Sequence, residues 1–160
     1  MASNNSPDCI TPKQWQARGG LEILLGNSIF VVDEGAVHLP TIVLLHGFPT
    51  SSWDWAPIWH SLSQNYRLIA LDMLGFGFSA KPNSHHYSIH GQADIVEALV
   101  KTKGLDRFHV LAHDYGDTVA QELLARQLEG VGAGTWISCC FLNGGLFPET
   151  HHALLTQNYS

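Results

Sequence analysis

Along this chain, short apolar runs alternate with stretches whose apolar residues recur every three or four positions. Leu21–Leu25 and Ile29–Val32 are two such runs, parted by Gly26-Asn27-Ser28. A turn-forming trio between apolar runs predicts a β-hairpin. Ile42–Leu45 is unbroken and too short for a helix, which predicts a buried strand. Over 51–63, Trp55, Ile58, Trp59 and Leu62 fall at spacings of three and four, the helical period. Leu68–Leu71 is a second buried strand. Ser88 is placed to cap a helix with Ile89, Ala93, Val96 and Val100 on one stripe, stopped by Gly104. Phe108–Ala112 is a third strand, and a helix carrying Val119, Ala120, Leu123 and Leu124 follows, stopping near Gly130. Trp136–Leu142 is a fourth.

Strands that alternate with helices and are apolar on both faces belong to a parallel sheet covered on both sides. The predicted fold class is α/β: a mostly parallel, doubly wound sheet with helices on both faces, entered through an antiparallel hairpin. Residues 1–18 are expected to be a loose polar tail.

Composition narrows the partners. Lys and Arg number 8 against 14 Asp and Glu, a net charge of -6. So few cations cannot neutralise a run of phosphates, so no nucleic-acid partner is expected. The longest apolar stretches fall far short of the ~20 residues of a membrane span, so no membrane segment is expected either. The opening, MASNNSPDCI, shows no basic and apolar signal pattern. Three cysteines, Cys139 and Cys140 adjacent, make neither a disulfide framework nor a metal knuckle. A reduced, cytoplasmic setting is the expectation.

In parallel sheets of this kind the chemistry sits beyond the carboxyl ends of the strands. Ala112-His113-Asp114-Tyr115-Gly116, between a strand and a helix, has the form small-x-nucleophile-x-Gly, with aspartate at the centre. A carboxylate is already ionised at neutral pH and needs no base to attack carbon, leaving an alkyl ester on the enzyme. Spacing alone leaves a second reading open, in which Asp114 only caps the next helix. His46-Gly47-Phe48-Pro49 follows the first core strand. A glycine there lets the chain bend so that the Phe48 N–H faces the same place, with the Tyr115 N–H as the other half of an oxyanion hole. His46 is expected to bond backbone at the rim of that pocket.

Two rival motifs are weaker. Gly75, Gly77 and Ala80 imitate a dinucleotide fingerprint, yet Lys81-Pro82-Asn83-Ser84 intervenes before any helix. Among the ten histidines, His109 and His113 flank a strand, where residues four apart lie about 13 Å from each other. No metal shell follows from these spacings.

The set H-G-F-P-T-S-S, L-D-M-L-G-F-G-F-S-x-K-P and H-D-Y-G-D resembles the α/β-hydrolase superfamily, and within it the aspartate-nucleophile branch of epoxide hydrolases and haloalkane dehalogenases. The resemblance runs from about Thr41 to His152. It implies that residues 19–160 are the N-terminal part of one α/β-hydrolase domain. It also implies Asp114 as nucleophile, backbone N–H groups of Phe48 and Tyr115 as oxyanion donors, and a pocket including His46, Gly47, Trp53, His113 and Phe147. No cofactor and no metal are implied.

The departures bear on substrate. Dehalogenases resembling this chain carry a tryptophan after the nucleophile and often an asparagine after the H-G pair, where this chain has Tyr115 and Phe48. Some place a catalytic acid where this chain has Asn143. In the family a lid, a catalytic acid and a histidine come later in the chain. None of the ten histidines here follows a late core strand in that way. The expectation is a hydrolase for small, largely apolar electrophiles such as epoxides, incompetent for turnover at this length. A non-catalytic ligand- or partner-binding protein that keeps the fold is the alternative, and Asp114 argues against a serine-type esterase. The edge of the last strand is expected to favour self-association.

Overall fold

A computed structural model describes residues 10–144. The hairpin is β1 (Gly20–Leu24) and β2 (Asn27–Glu34), paired antiparallel across a two-residue turn, Leu25-Gly26. β3 (Thr41–Leu45), β4 (Arg67–Leu71), β5 (Arg107–His113) and β6 (Thr135–Leu142) complete a six-stranded sheet in the order β1-β2-β4-β3-β5-β6. β4, β3, β5 and β6 run parallel, and β2 meets β4 antiparallel. The helices are α1 (Pro12–Gln16), α2 (Ala56–Ser63), α3 (Ile89–Thr102) and α4 (Tyr115–Leu128).

The strand period of two divides the core into two layers. Ile29, Val31, Val43, Leu45, Ile69 and Leu71 face α3 and α4 with Val96, Leu99, Val119 and Leu123. Phe30, Val32, Ile42, Leu44, Leu68 and Ala70 face the other way, onto Trp15, Trp55 and Trp59. Ionic ties join the elements at the rim: Arg67 meets both oxygens of Asp33 at 2.9 and 2.8 Å, and Lys103 reaches Glu22 and Asp33. Arg126 of α4 clamps Asp94 and Glu97 of α3.

Two expectations need correction. The tail is not loose to residue 18. Thr11 and Gln14 form a capping box for α1, which delivers Trp15 into the core, fully buried edge-on to Trp59 at 4.7 Å. Its indole N–H donates to Ser52 Oγ at 3.0 Å. Residues 1–9 lie outside the described residues. The helix over 51–63 is also two pieces, a 3-10 turn Ser52–Trp55 and then α2. Pro57 has no N–H to donate back to Trp53, so an α-helix can start there but not run through.

Candidate active site

The carboxyl ends of β3, β4, β5 and β6 deliver His46, Asp72, Asp114 and Asn143 to one end of the sheet. Asp114 stands between β5 and α4 with φ 53° and ψ −114°. A non-glycine residue there is strained, by about 1–3 kcal/mol, and persists only where its surroundings fix it. Here they do. The Asp114 N–H donates to Leu142 O at 3.0 Å, and Asp117 N–H returns to Asp114 O at 3.0 Å. Although Asp114 occupies the cap position of α4, its side chain makes no capping bond. That geometry disfavours a capping role for Asp114 and leaves its carboxylate to the Phe48 N–H.

Two glycines make the turn physically accessible. A Cβ on Gly116 would lie 2.4 Å from Leu45 O and 2.7 Å from His46 O, so only glycine lets α4 start against β3. A Cβ on Gly47 would lie 2.8 Å from Asp114 Cβ and 2.9 Å from His113 Nδ1. With Gly47 bare, the Phe48 N–H reaches Asp114 Oδ1 at 2.8 Å. Oδ2 accepts no hydrogen bond among the described residues. Tyr115 is the first residue of α4, so its N–H has no acceptor within the helix.

An aromatic wall stands beside the carboxylate. The Phe76 ring centroid lies 6.2 Å from Phe48, 5.7 Å from Tyr115 and 5.3 Å from His46. Burial pushes the Tyr115 phenol up from its ordinary value, so it stays protonated. Phe76 was hidden in a glycine-rich turn of the sequence. That turn closes on itself, Gly75 N–H to Ala80 O at 2.9 Å, and the next α-helix begins only at Ile89. It therefore offers no helix start to a pyrophosphate.

The other site candidates divide. His46 is fully buried; its Nε2 accepts the Met73 N–H at 2.9 Å and its Nδ1 pairs with Gly47 O at 2.8 Å. Both nitrogens are spent on backbone and burial pushes the ring toward neutrality, so it builds the site's floor rather than lining the pocket. His113 flanks Gly47 and faces Trp55 across 6.4 Å. Trp53 is displaced from the site: it is 38% exposed and its indole donates to Ile10 O at 2.7 Å. Phe147 lies outside the described residues. Asp72 is buried with its carboxylate taking the N–H groups of Ser52 and Phe78, which bolts the loops after β3 and β4 together. A groove of about 380 Å³ lined by Pro40, Thr41, Arg67, Arg107 and Ile137 opens at the opposite end of the sheet. Its Arg67 is already paired with Asp33, which leaves the elbow as the site with poised chemistry.

A mostly parallel sheet with a residue held at positive φ between β5 and α4, and a backbone N–H beyond β3 turned toward it, fits the α/β-hydrolase class. Residues 40–159 match the family model described as alpha/beta hydrolase fold, and the chain belongs to that family. It is 55% identical over 149 residues to the mesoderm-specific transcript homolog protein of Bos taurus, covering 89% of this chain and 44% of that protein. It is 36% identical over 142 residues to haloalkane dehalogenase 2 of Mycobacterium bovis, covering 82% of this chain and 49% of that one. The chain thus spans less than half the length of these relatives. Among solved structures, haloalkane dehalogenase DbeA of Bradyrhizobium elkani superposes with a TM-score of 0.68 at 26% identity, over 79% of this chain and 41% of that one. Among the described residues, no helix is long and apolar enough to cross a membrane.

Proposed function

We propose that this hydrolase-family chain carries the nucleophilic half-reaction of an aspartate-nucleophile hydrolase acting on small, largely apolar electrophiles of the epoxide type. The observation that carries the reading is Asp114, held at positive φ with one carboxylate oxygen already bound by the Phe48 N–H. Oδ2 attacks an epoxide carbon, the ring C–O bond breaks, and its electron pair leaves on oxygen, which takes a proton from water. The ester carbonyl oxygen then sits at the Phe48 and Tyr115 N–H groups, which hold the charge that develops when water attacks it.

The wall of Phe48, Phe76 and Tyr115 favours apolar substrates. Halide displacement is the weaker reading, because the Phe48 side chain has no N–H to offer a halide. The unbridged thiols of Cys139 and Cys140 suit a reduced, cytoplasmic setting.

Ester release needs a base to activate water. Of the histidines beside Asp114 among the described residues, His46 has no free nitrogen and His113 faces Trp55. The 160-residue chain is therefore expected to consume one equivalent of epoxide and stop. Titration with a series of alkyl epoxides, followed by intact mass, tests this. One adduct per chain, forming faster as the alkyl group grows, supports the reading; sustained diol production would assign the base to a histidine such as His151 or His152. A rate indifferent to the alkyl group would remove the apolar pocket from the account.

A further inference from the structure

Asp117 lies three residues after Asp114, in the first turn of α4, and is fully buried. An acidic residue there is ordinarily a solvated partner of the helix dipole. This one points under the exit of β6. Its Oδ1 accepts the Leu142 N–H at 3.3 Å, while Leu142 O accepts the N–H of Asp114 at 3.0 Å. Leu142 is thus pinned from both sides, by the nucleophile's backbone and by a carboxyl one turn behind it. A Cβ on Gly144 would lie 2.1 Å from Asp117 Oδ2, so the carboxyl fills the space a side chain would need. Oδ2 has no hydrogen-bond partner among the described residues. Leaving a buried polar atom unpaired costs about 1–3 kcal/mol, so a carboxyl is a poor choice here for packing alone.

We propose that Asp117 is a positioning residue for the nucleophile, locking the exit of β6 onto the turn at Asp114 through Leu142. The inference rests on Asp114 being the nucleophile. The groups that face Asp117 are His113 from β5, Asp114 at the start of α4, Cys139 of β6, and the peptides of Leu142 and Gly144. Burial pushes its carboxyl above the ordinary 3.8, and the Asp114 charge pushes the same way against His113 and the Leu142 N–H.

Coupling between two sites is reciprocal. Attack on an epoxide converts the Asp114 carboxylate into a neutral ester, which leaves burial in place but removes the smaller push that the Asp114 charge gives Asp117. Asp117 then becomes the stronger acid. Conversely, an ionised Asp117 raises the free energy of the Asp114 carboxylate and favours the step that discharges it. Attack therefore quickens as pH rises through the Asp117 ionisation.

The test uses the 160-residue chain, D117N and D117A, with styrene oxide as probe and intact mass as readout across pH. Wild type is expected to show a rising step at the Asp117 ionisation. D117N keeps the Oδ1 acceptor, so it should retain the rate below that step within about threefold and lack the step. D117A should lack the step and be about 10- to 100-fold slower, because a shift near 1 Å at the reacting atom costs about that much. Carboxyl-carbon NMR should show the Asp117 titration moving to lower pH after alkylation. Profiles superimposable for all three proteins, with an Asp117 titration indifferent to alkylation, overturn the proposal. Should D117A fail to fold, D117N carries the test through the missing step and wild type through the titration. If wild type takes no adduct at Asp114, the nucleophile reading fails, and the clamp is judged by amide exchange at Leu142 and Asp114. Exchange accelerated in D117A, or in D117L where D117A does not fold, sustains it, since both lack the acceptor for the Leu142 N–H; equal protection in wild type and variant refutes it.

Discussion

Replacing Gly116 by alanine probes the contact that sets the position of Asp114. The added methyl would sit 2.4 Å from Leu45 O, 2.7 Å from His46 O and 2.8 Å from Leu45 C, all backbone of β3 and its exit. Ordinary contact begins near 3.4 Å, so strand and helix must part by about 1 Å (3.4 minus 2.4). No flexible side chain can yield instead. Overpacking of this kind costs about 1–3 kcal/mol, and in a domain of this size each kcal/mol lowers Tm by about 2–4 °C. The same displacement moves Asp114 relative to Phe48 N–H, and a misplacement of about 1 Å costs about 100-fold in rate. Thermal unfolding with intact-mass kinetics of epoxide addition measures both. Gly20→Ala is the control, since a Cβ there meets nothing within 4 Å. A G116A protein as stable as wild type and alkylated at the same rate would refute the claim that close approach of α4 to β3 holds the elbow.

Trp15→Ala removes a fully buried indole from the layer of Trp55 and Trp59 and should cost about 3–5 kcal/mol in urea unfolding; a loss below about 1 kcal/mol would put α1 outside the core. At Asp33, burial works to raise the carboxyl, but Arg67 and Lys103 outweigh it and hold it below 3.8. A group with a depressed folded value contributes stability above its unfolded value that disappears as pH falls through the folded one. Acid titration of stability should therefore show a loss beginning below pH 3.8 that D33N lacks. Among the described residues β6 pairs only with β5 and leaves Ile137 and Leu142 45% and 38% exposed, so the chain should self-associate at high concentration. Ile137→Lys should reduce the weight-average mass in sedimentation; a monomeric wild type would contradict this.

The alternation of strands and helices was legible because Ile29–Val32, Ile42–Leu45 and Leu68–Leu71 are unbroken apolar runs and the longer helices, α3 and α4, carry apolar stripes. The turn at Asp114 was legible for the same reason: a strand, a tight small-residue turn and a helix start can be read from five residues. Trp53 could not be placed from periodicity. The 3-10 turn before Pro57 changes the angular step, so Trp55 and Trp59 turn inward while Trp53 and Ile58 turn outward. Trp15 was missed because a five-residue helix shows no period and its partners, Ser52 and Trp59, are distant in sequence. Asp117 reads as a helix-dipole acid until β6 is folded over it.

Peptide mass mapping after exposure to excess styrene oxide tests the central claim most directly. Cys140 is exposed and supplies an internal competitor, while burial pushes the Cys139 thiol up to about 12 and keeps it inert at neutral pH. An ester is expected on the peptide carrying Asp114, absent from D114A under the same conditions. Modification confined to cysteine or histidine, and unchanged by D114A, would contradict it.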